Sequence, residues 1–358
     1  MKYKYLFLSL GFLLLLGISG CTGVGKELTG DYDYYLYFSN TMDKFVTSGR
    51  FVGIGKKDQV ILKTEGLELG TFVQHDQKVF LSDRTHDFVY TPHSGKIEKE
   101  KRQTKEHTGI DSVILDGKLV TLFNHGYPDT NDILYQNNLY FNNDYTIING
   151  HIFSTGNDEQ SLYILRDEEI GKLFVDRLYL SEDTLISENL GSFPNIEGSE
   201  YLIGYRLNVH ENHLYGVAFD FANNRRAGLF SYSLKDSSYT FKETDREIIL
   251  EDIGFSFSKG SFIYKDQLVY FSSNGTIYFI DLETAETTKK LPTNMDLSGV
   301  FIVSVIDDEH VAIATHDHDN NLIIWELDLI SLSLTEKRRV EPSLWRKQEY
   351  LYDFQVKR

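Results

Sequence analysis

The sequence predicts an all-β fold, a β-propeller of about seven blades, with six or eight as alternatives. Strand–turn–strand units recur, and equivalent positions are 45 residues apart from Tyr90 to Tyr135, 48 from Tyr232 to Ile280 and 45 from Ile280 to Trp325. A repeat of this length, with several short strands in each unit, is typical of a propeller blade. The composition agrees, because 24 Phe, 23 Tyr and only 5 Pro suit strands.

Six strand–turn–strand units are predicted along the chain. The clearest pairs residues 266–271 with 277–284 across a turn at Ser273 to Gly275. The others pair residues 79–81 with 88–90, 119–123 with 133–135, 152–153 with 162–165, 214–219 with 229–234, and 311–314 with 322–328. Residues 269–271 are apolar on both faces, which predicts a first strand packed between two blades. Small residues at Ala312 and Ala314 suit the crowded region near the propeller axis.

The predicted register is irregular in the middle of the chain. Only 30 residues separate Tyr135 from Leu165, whereas 67 separate Leu165 from Tyr232. Residues 181–200 are predicted to form a long loop between blades, and the charged run 98–106 a solvated hairpin or short exposed helix. The alternative architecture is one β-sandwich or a pair of them, because sandwiches also consist of short hairpins.

The two ends of the domain are predicted to close the ring together. Residues 34–38 and 350–354 both have strand-like composition: four of the first five residues are aromatic, and aromatic residues alternate with others in the second segment. One blade completed by strands from both ends would remove the exposed sheet edges.

Two predicted turns carry a family resemblance. Ile280-Asp281-Leu282-Glu283-Thr284 and Thr91-Pro92-His93-Ser94-Gly95-Lys96 resemble hairpin turns of irregular bacterial propellers of the quinoprotein-like and YncE-like type. The repeated Trp docking motif, the Trp-Asp dipeptide, the paired kelch glycines and the Ser-x-Asp-x-Gly box are missing. The resemblance therefore implies an architecture and no site residue.

The N-terminus resembles a bacterial lipoprotein signal peptide. Lys2 and Lys4 precede a largely apolar stretch of 13 residues, 6–18, and the only cysteine, Cys21, follows Ser19 and Gly20. The stretch is shorter than the roughly 20 residues that span a bilayer. We expect residues 1–20 to be removed, Cys21 to carry the lipid, residues 21–30 to be a tether, and residues 31–358 to form the propeller. This predicts an extracytoplasmic, membrane-anchored protein, whose acyl chains bind the membrane.

The net charge limits the partners. The chain carries −17, and the expected mature part, with 34 basic and 53 acidic residues, carries −19. Nucleic-acid binding needs a basic surface and is excluded on this ground. Binding flat on an anionic membrane is disfavoured for the same reason.

One turn is the best candidate for a metal site. Asp317, Asp319 and Asn321 alternate as in a calcium loop, but Leu322 stands where that loop needs Gly. His316 and His318 would point the same way from an extended segment, as zinc ligands can. Because turns select Asp and Asn for conformational reasons, a polar turn without metal is the preferred interpretation.

Two further patterns are weaker. His210-Glu211-Asn212-His213 lacks the helical spacing of a zinc protease and is predicted to be a turn. Ser256-Phe257-Ser258-Lys259 matches the Ser-x-x-Lys of penicillin-binding enzymes, but no Lys-Thr-Gly partner motif occurs. The sequence therefore predicts no catalytic, metal or cofactor-binding residue.

Two classes of function remain. The preferred one is a non-catalytic binding or scaffold propeller of the cell envelope, which presents loops to a protein, peptide or glycan. The alternative is an extracytoplasmic hydrolase or lyase whose carboxylates or histidines gather at the channel mouth from several blades. A solute-binding lipoprotein of a transporter is excluded because the sequence shows almost no amphipathic helix.

Overall fold

The computed structural model describes residues 30–127, 135–142, 144–169, 172–194, 201–203, 206–220, 226–244, 260–272, 274–295, 297 and 300–358. In these ranges 29 strands form seven antiparallel sheets, and no helix occurs. Strands from all seven sheets line one central cavity. The molecule is thus a seven-bladed β-propeller, which confirms the predicted fold class.

The strands of each blade follow in order from the axis outward. Blade 1 contains β29 (Tyr350–Val356), β1 (Tyr32–Ser39), β2 (Gly49–Gly55) and β3 (Gln59–Thr64). Blade 2 contains β4 (Phe72–His75), β5 (Lys78–Ser82), β6 (His86–Thr91) and β7 (Lys96–Lys101). Blade 3 contains β8 (Thr108–Leu115), β9 (Lys118–Gly126), β10 (Gln136–Phe141) and β11 (Asp144–Asn149). Blade 4 contains β12 (Ile152–Asn157), β13 (Ser161–Glu169), β14 (Lys172–Ser181) and β15 (Thr184–Pro194).

Blade 5 has an inner strand in two parts. It contains β16 (Tyr201–Ile203) and β17 (Asn208–His210), both paired with β18 (His213–Asp220), and then β19 (Arg226–Ser233) and β20 (Tyr239–Glu243). Blade 6 contains β21 (Ser261–Tyr264), β22 (Gln267–Phe271), β23 (Thr276–Asp281) and β24 (Thr287–Pro292). Blade 7 contains β25 (Ile302–Val305), β26 (His310–His316), β27 (Leu322–Asp328) and β28 (Ser333–Val340).

The two faces of the ring differ in the loops that they carry. We call the face where the inner strands begin the upper face, and the opposite face the lower face. The upper face carries the connections between blades and the loops between second and third strands. The lower face carries the turns after the inner strands, and residue 30 lies there, because the backbone N–H of Lys357 at the end of β29 donates to the carbonyl of Asp33 at 2.9 Å.

The ring closes through blade 1. Strand β29 pairs with β1 from Tyr34 opposite Val356 to Ser39 opposite Tyr350, as the sequence predicts. Asp353 of β29 also joins blade 1 to blade 2, because its carboxylate accepts the backbone N–H of Phe72 at 2.9 Å. Both ends of the domain are therefore held in the same sheet.

The core lies between blades rather than within one. Between blades 1 and 2, the rings of Tyr35 and Phe51 stack at 5.4 Å, and Phe72 packs edge-on against Phe51 at 5.3 Å. All three side chains are buried. Because second and third strands contact a neighbouring blade on each face, they are apolar on both sides, whereas the outermost strands such as β7 are largely exposed.

The order of strands differs from the prediction in one respect. Residues 269–271 and Ala312 and Ala314 lie in β22 and β26, which are second strands and not first strands. Leu165 also lies in a second strand, β13. The predicted repeat treated it as equivalent to positions that lie in third strands, such as Tyr232. From the third strand β10 to β14 is 36 residues and from β14 to β19 is 54, which removes about half of the apparent irregularity.

Two local predictions are wrong. Residues 184–194 form the outer strand β15 and not a loop; residues 195–200 lie outside the described part of the chain. In the charged run 98–106, residues up to Lys101 belong to the exposed strand β7, but Arg102 and Glu106 are buried between blades 2 and 3. Of the predicted pair 119–123 and 133–135, the first segment lies in β9 and pairs with β10, which begins at Gln136.

Candidate functional site

A small cavity opens on the upper face, beside the mouth of the central channel. Its volume is about 220 Å³, and the starts of the inner strands of blades 3 and 4 form its walls. The residues that line it are Leu69, Thr108, Gly109, Ile110, Asn124, Tyr135, Asn137, His151, Ile152, Phe153, Ser154, Thr155 and Tyr352. This lining contains amides, hydroxyls, aromatic rings and one histidine, and no Asp, Glu, Lys or Arg. We call this cavity the upper pocket.

Asn137 is the fully buried amide among the residues that line the upper pocket. Its amide nitrogen donates to the carbonyls of Ile148 at 3.2 Å and Gly150 at 2.7 Å, which fixes the side chain on β10. The side chain is fully buried, and its Oδ1 has no hydrogen-bond partner among the described residues. Because this oxygen is inaccessible to water, a ligand in the pocket cannot contact it, and leaving it unpaired costs about 1–3 kcal/mol.

Two rings form one wall of the upper pocket. The rings of Tyr135 and His151 lie 4.1 Å apart at 31°, and Tyr127 packs edge-on against Tyr135 at 5.2 Å. The hydroxyl of Tyr135 donates to Asn124 Oδ1. Burial raises the pKa of the Tyr135 hydroxyl, so this donor keeps its proton across the neutral range.

His151 is oriented by a carboxylate. Its Nδ1 lies 3.3 Å from Asp167 Oδ1, and its backbone N–H donates to the same oxygen at 2.9 Å. A histidine that donates through Nδ1 presents Nε2 as an acceptor. This pair is the only oriented acid–base arrangement that we find at the upper pocket within the described residues.

An apolar loop borders the upper pocket. Residues 40–48 connect β1 to β2, and the side chains of Met42, Phe45 and Val46 are exposed at 59%, 104% and 68%. Thr108, which lines the pocket, donates to the sulfur of Met42 at 3.6 Å. The Nδ2 of Asn40 donates to the carbonyl of Val46 at 2.8 Å, which holds the loop's shape. The upper face therefore combines a fixed apolar loop with an uncharged pocket.

The central channel contains carboxylates, but two of them hold the fold. Its cavity of about 700 Å³ opens towards the lower face and is lined by Asp111, Asp116, Asp158 and Glu159, among others. Asp111 accepts the hydroxyl of Thr155 at 2.8 Å, and Asp158 accepts the backbone N–H of Ser161 at 2.7 Å. These bonds connect blades 3 and 4 and shape the turn before β13.

The predicted metal turn has a structural role. Asp317 accepts the backbone N–H groups of Asp319 at 3.0 Å and Asn321 at 2.9 Å, which closes the turn between β26 and β27. His316 points inward, with its ring 5.8 Å from that of Trp345, whereas His318 is exposed. Nowhere in the described ranges do three His, Cys, Asp or Glu side chains gather as a metal site requires.

The other candidates divide into two groups. His210 and His213 flank a two-residue turn in which Glu211 and Asn212 have φ of 45° and 64°, so they lie in the predicted turn. Cys21 and residues 256–259 lie outside the described part of the chain. The described ranges contain no helix that could span a membrane.

The upper pocket leaves almost no signature in the sequence. Its residues come from three blades and are common polar or aromatic types, so no spacing marks them. The run of Asn137 and Asn138 inside an apolar strand was the one available sign, because a buried amide in a strand centre requires specific partners.

The fold and the site define a class of protein: a seven-bladed β-propeller with an uncharged pocket and an apolar loop on one face. Residues 30–357 match the family described as "YycP, beta-propeller domain", and the chain belongs to that family. No curated protein matches the sequence significantly.

Solved structures share the architecture at low sequence identity. A computationally designed protein, Ika8, is 11% identical with a TM-score of 0.53 over 88% of this chain and 92% of its own. Apo AztD from Citrobacter koseri is 11% identical with a TM-score of 0.50 over 87% and 95%. A puromycin-hydrolyzing peptidase of Mycobacterium tuberculosis is 11% identical with a TM-score of 0.54 over 89% of this chain and 54% of its own. Such similarity shows the fold alone.

Proposed function

We propose that this protein is a lipid-anchored binding propeller of the cell envelope, which recognises a partner protein through its upper face. The observation that carries the proposal is the loop of residues 40–48, where Phe45 is fully exposed between exposed Met42 and Val46. Exposed apolar side chains close together on a protein surface are typical of protein–protein contacts, in which Phe and Met are enriched, although here the charged Asp43 and Lys44 lie between Met42 and Phe45.

The anchor supports the same function. A lipid on Cys21 would attach the chain to a membrane, and residue 30 lies on the lower face. The apolar loop lies on the opposite face, so a tethered ring would present it away from the membrane. Loops on a rigid scaffold are where recognition usually lies.

A photo-crosslinking experiment tests the proposal. A photoreactive phenylalanine analogue is placed at Phe45 in the full-length, membrane-bound protein, with Ile330 as the matched control position. Ile330 is also apolar and 62% exposed, but it lies in the turn after β27 on the lower face. We expect a discrete crosslinked protein from position 45 and not from position 330.

The binding itself is tested by substitution. With the photoreactive analogue moved to the neighbouring exposed Val46, Phe45→Asp in the full-length chain should lower recovery of the crosslinked partner at least tenfold, whereas Ile330→Asp should leave it unchanged. Identical products from both positions, or none from position 45, would contradict a specific upper face.

A hydrolase is the second candidate, and one observation favours it: the His151–Asp167 pair beside the upper pocket. Such a pair can act as a general base. Turnover of an ester, peptide or glycoside that is lost in both His151→Ala and Asp167→Asn would replace the binding function by this one.

A further inference from the structure

We infer that the upper pocket is a binding subsite for one ring of a neutral saccharide, separate from the protein-binding loop beside it. The volume of about 220 Å³ lies below the 300–1,000 Å³ that accommodates a typical drug-sized ligand. The pocket therefore suits a single ring or a single side chain.

The lining selects against charge. The walls contain no acidic, lysine or arginine side chain. A charged group that loses water without an opposite charge or metal is strongly disfavoured. The ligand class is therefore neutral.

The polar side chains of the upper pocket match a ligand that both donates and accepts hydrogen bonds. His151, whose Nδ1 lies 3.3 Å from Asp167 Oδ1, presents its Nε2 as an acceptor. Asn124 accepts the Tyr135 hydroxyl through its oxygen, which leaves its amide nitrogen as a donor. A hydroxyl group satisfies either kind of partner, and a sugar ring carries several hydroxyls around its edge.

The apolar walls fit the flat face of such a ring. Tyr135, Phe153 and Tyr352 line the pocket together with Ile110 and Ile152. A pyranose presents C–H groups on its face and hydroxyls on its edge, which matches a lining of aromatic rings together with polar side chains. An amide side chain of a partner protein is the competing occupant, since it is also neutral and donates.

Ligand-observed saturation-transfer NMR on the purified protein tests the inference. The probes are glucose, galactose and N-acetylglucosamine, each at millimolar concentration, with glucuronate and glucosamine as charged counterparts of nearly the same size. We expect signal transfer from at least one neutral sugar, and at least tenfold weaker binding of its charged counterpart. Equal binding of charged and neutral sugars, or binding of none, would overturn the inference.

Three variants locate the site. Tyr135→Phe removes one hydroxyl, and His151→Ala removes a partly exposed ring, so neither requires a change in the core. Both should weaken the sugar signal at least fivefold, whereas Tyr145→Ala, an exposed ring on β11 of the same blade, should not. Unchanged binding in both pocket variants would place the sugar elsewhere and contradict the assignment.

The amide alternative has its own readout. A short glutamine-containing peptide that binds, and that Tyr135→Phe weakens, while no sugar binds, would assign the pocket to a partner side chain. The inference is independent of the protein-binding face, because pocket variants should leave crosslinking at position 45 unchanged. Loss of that crosslink, in turn, would not affect the NMR signal.

Discussion

His316 is a candidate metal ligand by sequence, but its ring packs against aromatic side chains in the structure. The sequence places it in a turn with metal-like spacing, but its ring lies in an apolar cluster with Phe38 at 6.3 Å and Trp345 at 5.8 Å. Burial lowers the pKa of His316 to about 4, and the nearby charge of Asp317 opposes this only in part. His316 is therefore neutral in the folded protein at pH 7.

The low pKa of His316 makes stability depend on pH in a defined direction. The unfolded chain protonates this histidine near pH 6.5 and the folded chain near pH 4, so acid favours unfolding between these values. We expect His316→Phe to gain about 2 kcal/mol of unfolding free energy relative to wild type when the pH falls from 7 to 4.5. Urea unfolding at both values measures this. Curves that shift equally in wild type and variant would contradict it.

Arg102 shows what the sequence could not reveal. It follows five residues of an exposed, charged strand, and charge pattern alone predicts that the run stays in water. Instead, its guanidinium donates to the carbonyl of His86 at 3.0 Å and to the carboxylate of Asp87, and lies 4.5 Å from the ring of Phe123. These partners come from two blades, so only the closed ring brings them together.

The position of Arg102 predicts a sharp contrast with its neighbour. Arg102→Met should lower the unfolding free energy by about 2–3 kcal/mol, because it removes the cation paired with the partly buried carboxylate of Asp87 and the side-chain donor to the carbonyl of Asp83. Lys101→Met, at the exposed end of β7, should change it by no more than about 0.5 kcal/mol. Denaturant melts of both variants measure the difference, and equal values would show that Arg102 is not a structural cation.

At the scale of strands, hydrophobic runs predicted the second and third strands of most blades. The inner strands were harder to detect, because they are short and carry polar residues that face the channel, such as Gln74 in β4 and Ser304 in β25. The outer strand β15 was missed because polar residues, Gly191 and Pro194 interrupt its apolar pattern. This is why the count of blades was correct while the position of each strand within its blade was not.

Closure by β29 was predictable because both ends of the chain carry apolar, strand-forming residues. Leu351 and Phe354 are fully buried, and Asp353 binds the backbone of blade 2. Truncating a large buried apolar side chain typically costs about 2–5 kcal/mol. The free energy of unfolding of native proteins is about 5–15 kcal/mol, so the loss of several such side chains is enough to unfold a domain.

Deleting residues 349–358 should therefore unfold the whole ring and not one blade. Far-UV circular dichroism should show loss of the cooperative melt, and limited proteolysis should cut throughout the chain. Deleting residues 357–358 alone is the control and should lower the melting temperature by only a few degrees, because β29 remains intact. A full-length-like melt after the longer deletion would mean that β29 does not close the ring.

At the scale of the whole molecule, the tether would set which face meets the membrane. Residue 30 lies on the lower face, where Asp31 pairs with Lys56 at 2.9 Å. Nine residues separate Cys21 from residue 30, a reach of at most about 30 Å when extended. The lower face would therefore stay closer to the lipid than the upper face. Because the chain is strongly acidic, neither face of the ring would bind flat against an anionic bilayer.

This orientation predicts a difference that a membrane assay can measure. Single cysteines replace Phe45 on the upper face and Ile330 on the lower face of the lipidated protein, and each carries the same fluorophore. A quencher attached to lipid headgroups should reduce emission from position 330 more than from position 45. Cys21→Ser should leave an unprocessed or released protein, so no protein of mature size should remain with the membrane. Equal quenching at the two positions would contradict a fixed orientation, and membrane retention of Cys21→Ser at mature size would contradict the lipid anchor.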